Sequence, residues 1–101
     1  MQKVLGAVGL ARRAGKCITG DFAVERAVKG GKALLVIVDA SASDATKKRY
    51  QTICNTHAVL YREFPGAGAA AGKPGGKIIA IVDEGFVGMI EKAYHAAQTE
   101  Q

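Results

Sequence analysis

Tryptophan is absent from this chain, and cysteine, proline and histidine each occur only twice among its 101 residues. Two thiols, Cys17 and Cys54, are too few to staple a small secreted fold, so reduced thiols in a cytoplasmic protein are expected. A structural zinc site takes about four ligands, usually as two paired half-sites. Cys54 and His57 make one half-site at best, so neither metal nor other cofactor is expected. Cys54 reads as a core residue and His57 as an exposed helix end. No apolar run approaches the ~20 residues of a membrane span. In MQKVLGAVGLARRAGK most of the charges (Arg12, Arg13 and Lys16) follow the apolar stretch, whereas an export leader carries them before it. Acidic residues are the minority, nine against 14 basic, for a net charge of +5.

Apolar residues make up 49% of the chain, enough for a real core, and the length suits one domain over residues 1–101. The charge is uneven. Residues 1–32 hold seven basic residues against Asp21 and Glu25, whereas residues 74–101 are net acidic. With a pI near 9.4, one strongly basic end is the footprint of a phosphate-binding face or of a solvated basic surface.

Two segments read as buried strands, Ala33–Val38 (ALLVIV) and Ile78–Val82 (IIAIV), being short, continuous and largely β-branched. Ala58–Tyr61 is a weaker third and Cys17–Thr19 a short fourth. Helical spacing links Val4, Leu5, Val8 and Ala11, and again Phe22, Ala23, Arg26 and Ala27 behind Gly20–Asp21. Ser41 or Ser43 caps a helix running to Asn55, with Asp44 as capping-box partner of Ser41. A last helix starts near Asp83–Glu84 and carries Met89, Ile90, Ala93 and Tyr94. PGAGAAAGKPGG, residues 65–76, is a flexible loop or a short Ala helix between Gly-rich turns. Strands alternating with helices predict an α/β fold, a three-layer α/β/α sandwich around a mixed four-stranded sheet.

Catalytic patterns fail on inspection. Gly66 and Gly72 have five residues between them rather than four, and Lys73 is followed by Pro74, so the phosphate-loop spacing and its Ser/Thr metal ligand are both missing. Asp39, Asp83 and Glu84 stand at strand ends, where helix caps also sit. Nothing near Cys54 would activate a thiolate. No enzyme is expected. Function-like residues concentrate instead between Arg12 and Arg26: a basic helix end, the turn at Gly15 and Lys16, and Gly20 opening a helix. Free N–H groups at such a helix start suit a phosphate. Arg26 and Lys29 follow on one side of that helix.

At this cluster the chain resembles a known family. GLARRAGKCITG (Gly9–Gly20), RAVKGGKALLVIVDASAS (Arg26–Ser43), TKKR (Thr46–Arg49) and IIAIVDEGF (Ile78–Phe86), in that order, resemble the short bacterial branch of the L-seven-Ae ribosomal-protein family. The likeness spans about residues 5–92. It implies an α/β/α sandwich that binds kink-turn RNA without catalysis, with the ribosome among its expected partners. In the kink-turn binders the second helix opens with Gly, a variable residue, Asn and Glu, with Lys three past the Glu. Here Gly20 is in place and Arg26 stands for the Lys, but Phe22 and Ala23 replace the base-reading Asn and Glu. Asp21, one residue early, is the only local substitute. The family's second contact surface falls on the loop near residues 62–68, where Arg62 reaches a phosphate and Phe64 either stacks on a base or joins the core.

The expected RNA-binding face is therefore Lys16, Gly20, Asp21, Phe22, Arg26, Lys29, Arg62 and Phe64. The competing reading is a protein-interaction module or homodimer of the same fold, with Phe22 as an apolar contact.

Overall fold

The computed structural model describes residues 1–99, so the last two residues of the expected 1–101 domain lie outside the described part. Nine elements follow in chain order: α1 (Gln2–Arg13), β1 (Cys17–Thr19), α2 (Asp21–Lys29), β2 (Leu35–Asp39), α3 (Asp44–Thr56), β3 (Leu60–Phe64), α4 (Ala67–Ala70), β4 (Ile78–Ile81) and α5 (Glu84–Thr99). The strands form one mixed sheet in the order β1-β4-β2-β3. β4 runs antiparallel to both β1 and β2, and β2 runs parallel to β3.

Both faces of the sheet are covered, which is why β2 and β4 are continuously apolar. Leu35 and Ile37 of β2, with Ile79 and Ile81 of β4, pack under α1 and α5 against Val4, Val8, Phe64 and Ile90. The alternate residues Val36, Val38, Ile78 and Ala80 pack under α2 and α3 against Val24, Val28, Tyr50 and Cys54. This is the expected three-layer sandwich with a mixed four-stranded sheet. Among the described residues no helix is long and apolar enough to cross a membrane.

The local differences have physical causes. The third helix is capped by Ser43, whose hydroxyl accepts the Thr46 amide at 3.1 Å, so Asp44 lies inside the first turn rather than boxing Ser41. Ala58 takes a left-handed turn (φ 56°) that ends α3, and the following strand runs Leu60–Phe64 instead of Ala58–Tyr61. That strand is an edge, and edges tolerate the Arg62 and Glu63 that made it look unlike a strand. Residues 65–76 form α4 between turns at Gly66 and Gly72, both with positive φ. Asp83 caps α5, its carboxylate accepting the Phe86 amide at 3.1 Å.

Candidate functional site

Chain direction decides what meets at each edge of the sheet. β1, β2 and β3 end at one edge, and each is followed there by the start of a helix, α2, α3 and α4 in turn. β4 is antiparallel to β1 and β2, so it enters the sheet at that same edge, bringing Lys73–Lys77 with it. Between these pieces lies a cleft of about 370 Å³, lined by Gly20 and Asp21 from α2, Thr46 from α3, Gly68 from α4, and Lys73, Gly76 and Lys77 before β4.

The α2 end of this cleft is bare. Gly20 is the N-cap, at φ 102° and ψ 146°, a conformation glycine reaches without strain, and no side chain caps the helix. The Gly20 amide donates to the Ile78 carbonyl at 3.2 Å, which fixes the helix start to β4. The first amides of α2 are thus left for an acceptor from outside, at the positive end of the helix dipole.

Asp21 is held in place. Its carboxylate accepts from the Arg49 guanidinium and the Tyr50 hydroxyl, and the same hydroxyl reaches the Asp21 carbonyl at 2.8 Å. Arg49 also pairs with Glu25 at 2.6 Å and lies over the Tyr50 ring, 4.7 Å from its centroid. Hydrogen bonds from Arg49 and Tyr50 hold the Asp21 carboxyl below the usual carboxylate range. Burial and the bond to Asp21 push the Tyr50 hydroxyl well above its ordinary value. This clamp ties α2 to α3 and engages the Asp21 carboxylate.

Asp39 organises the opposite wall. It is buried at the end of β2, and it accepts the Ser41 amide at 3.0 Å, the Ser41 hydroxyl at 2.8 Å and the Gly68 amide at 3.2 Å. Lys77 donates to the Ser41 hydroxyl at 2.6 Å. Burial alone would raise the Asp39 pKa, but the Ser41 and Gly68 donors and the Lys77 charge outweigh it, and the carboxyl is held below its ordinary value. Folded-state values lowered in this way stabilise the fold above the unfolded pKa of about 4, and the gain is lost as pH falls through the folded values. Urea midpoints should therefore hold steady from pH 7 to about pH 5 and fall below about pH 4. Asp39→Asn, already uncharged, should show a shallower acid drop; an identical drop would remove Asp39 from this role.

Phe22 and Arg26 stand on the outer side of α2. Phe22 is 76% exposed, and the Arg26 guanidinium carbon sits 4.8 Å from its ring centroid. Other expected residues lie elsewhere. Lys16 precedes β1 at the far end of that strand, where its carbonyl accepts the Val82 amide. Lys29 is in the last turn of α2, paired with Glu25 at 2.9 Å. Two expectations need correction. Phe64 is 2% exposed and belongs to the core, so no base can stack on it. Arg62 is half-buried and doubly bonded to Glu91 of α5, at 2.9 and 2.6 Å, with its guanidinium 5.0 Å from the Tyr94 centroid. The cause is strand alternation. Residues 60–64 are β3 rather than loop, and Arg62 and Phe64, two apart, point to the α1–α5 side together.

Thr46, Lys73 and Lys77 escaped the sequence reading. Their signal was topological: a strand antiparallel to β1 must be entered at the edge where β1 leaves. The cysteines take no part. Burial raises both thiols to about 11, so neither is a thiolate near neutral pH.

Residues 2–89 match the family described as Ribosomal protein L7Ae/L30e/S12e/Gadd45. Two similar curated proteins are both called RNA-binding protein YlxQ. That of Bacillus subtilis is 32% identical over 82 residues, covering 78% of this chain and 82% of its own. That of Enterococcus faecium is 38% identical over 88 residues, covering 84% of each chain. A solved structure from Bacillus halodurans, of a protein of unknown function, superimposes with a TM-score of 0.78 at 31% identity, covering 90% of this chain and 99% of that one. The Giardia lamblia 15.5kD RNA binding protein shares the fold, with a TM-score of 0.75 at 19% identity over 97% of this chain and 87% of that one.

Proposed function

The chain belongs to the ribosomal protein L7Ae/L30e/S12e/Gadd45 family, and from that premise we propose that it is a small RNA-binding protein that docks RNA at the cleft around Gly20. The carrying observation is the uncapped start of α2 facing Lys73 and Lys77 across that cleft. The α2 start and two lysines line one space, a combination suited to phosphate oxygens. The names of the two YlxQ relatives support RNA as the ligand.

The finer proposal concerns which RNA. Reading of tandem G·A pairs through Asn and Glu is unavailable to Phe22 and Ala23, and Asp21 is engaged by Arg49 and Tyr50. What the α2 start offers instead is the exposed Phe22 ring backed by Arg26, a stacking platform beside a phosphate site. The ligand is therefore a structured RNA with a sharp backbone turn and an unstacked base, of which a kink-turn is one example. The exposure of Phe22 also favours a second reading, an apolar contact with protein.

A titration with one kink-turn RNA and one matched straight duplex, at two salt concentrations, separates these. Preference for the kink-turn, reduced about tenfold or more by Phe22→Ala, is the expected result. Equal, salt-sensitive binding to both RNAs would remove the turn-specific reading. No binding to either would favour the protein-contact reading.

A further inference from the structure

The helical layer opposite α2 and α3 carries a second surface. On α1, Lys3, Gly6, Leu10 and Arg13 recur at spacings of three and four and so form one stripe. Met89, Lys92 and Ala96 make the matching stripe on α5. Between them runs a groove of about 560 Å³. It continues into a hollow of about 320 Å³ beside Met1, which shares Lys3, Ala93 and Ala96 with it. Together the two follow α1 from end to end, and its 12 residues make about 18 Å of helix.

Three observations bear on what fits there. First, of the five large apolar residues exposed on the molecule's described part, Met1 (42%), Leu10 (44%) and Met89 (45%) all lie along this groove. Second, the chain's own packing does not explain Gly6. A Cβ there would meet nothing within 4 Å, although a glycine inside a helix is less stable than alanine. Its missing side chain keeps the floor open. Third, the rim is of one sign: among the described residues, Lys3, Arg13 and Lys92 flank the groove, no acidic residue lines it, and none of the three is ion-paired.

We propose that the α1–α5 groove is a docking site for an acidic amphipathic helix of a partner protein. An apolar stripe about three turns long would fill the floor over Gly6 and Ala96, and flanking carboxylates would meet Lys3, Arg13 and Lys92. Charge argues against a second copy, because self-association through this face opposes one cationic rim to another. The apolar floor, with no base-pairing groups, argues against RNA. The groove and the cleft at Gly20 share no lining residue, so the protein would hold RNA and a protein partner at once.

The test uses a synthetic helical peptide of about fourteen residues, with leucines at helical spacing and glutamates on both flanks, and the same peptide with lysines in place of the glutamates. Binding is followed by fluorescence anisotropy and by amide shifts of the labelled full chain. The acidic peptide should bind, move amides of α1 and α5, and lose at least about tenfold in affinity with Gly6→Leu, and likewise with the triple reversal Lys3→Glu, Arg13→Glu, Lys92→Glu. Both variants should keep wild-type RNA affinity within about threefold, which separates this site from the RNA reading. The proposal is overturned if the two peptides bind alike, if the shifts fall at Lys73–Ile78, if RNA itself moves the α1–α5 amides, or if sedimentation shows a dimer through this face.

Discussion

Gly68→Ala is expected to lower the thermal midpoint by about 12 °C or more, the equivalent of about 3 kcal/mol in a chain of this size. The added Cβ would stand 2.0 Å from the Gly76 carbonyl oxygen and 2.8 Å from its carbon, with the Lys73 carbonyl at 3.0 Å. All three are backbone atoms, so no side chain can rotate away. Relief requires moving the Lys73–Gly76 turn, which is tied down at both ends: the Lys73 amide donates to the Gly68 carbonyl at 2.9 Å, and the Gly76 amide to the Lys73 carbonyl at 2.7 Å. Gly68 also donates its amide to buried Asp39. The displacement would spread to the Asp39–Ser41–Lys77 network and to the mouth of the cleft, so RNA affinity should fall with stability. Gly6→Ala, in open space on α1, is the contrast and should raise the midpoint by a few degrees, from a gain of about 0.5–1 kcal/mol. Differential scanning fluorimetry on both variants decides the matter. A Gly68→Ala midpoint within two or three degrees of wild type, roughly what half a kcal/mol produces, would mean that the turn yields freely.

The layered fold was legible because β2 and β4 are buried on both faces and read as unbroken apolar runs, while the helices between them keep their spacing. The edge strand was not. Leu60–Phe64 carries Arg62 and Glu63, and apolarity alone placed the strand two residues early. That slip had a functional consequence. With Arg62 and Phe64 read as loop, both looked available to RNA, whereas their place on alternate positions of β3 turns one toward Glu91 and the other into the core. Gly20 and Asp21 were found from the helix-start signal, which is local. Lys73 and Lys77 were not, because they reach the cleft only through the antiparallel placement of β4. Asp21 shows the limit of local reading from the other side: its position suggested a base contact, and Arg49 and Tyr50, 28 and 29 residues away, claim it.

The claim that RNA docks at this cleft, rather than being gathered by a generally basic molecule, is tested most directly by two double variants of equal charge. Lys73→Glu/Lys77→Glu alters the cleft. Lys3→Glu/Lys92→Glu makes the same change in net charge on α1 and α5, away from the residues that line the cleft. RNA affinity is measured for each against salt, with thermal midpoints as the check that each variant is folded. If the two cleft lysines contact phosphates, their reversal should lower affinity about 100-fold or more at 0.1 M salt and reduce the log–log salt slope by about two. The remote pair, which does not line the cleft, should cost less than about threefold. Equal losses in the two variants, or an unchanged slope in the cleft variant, would contradict a docking site at Gly20, Lys73 and Lys77.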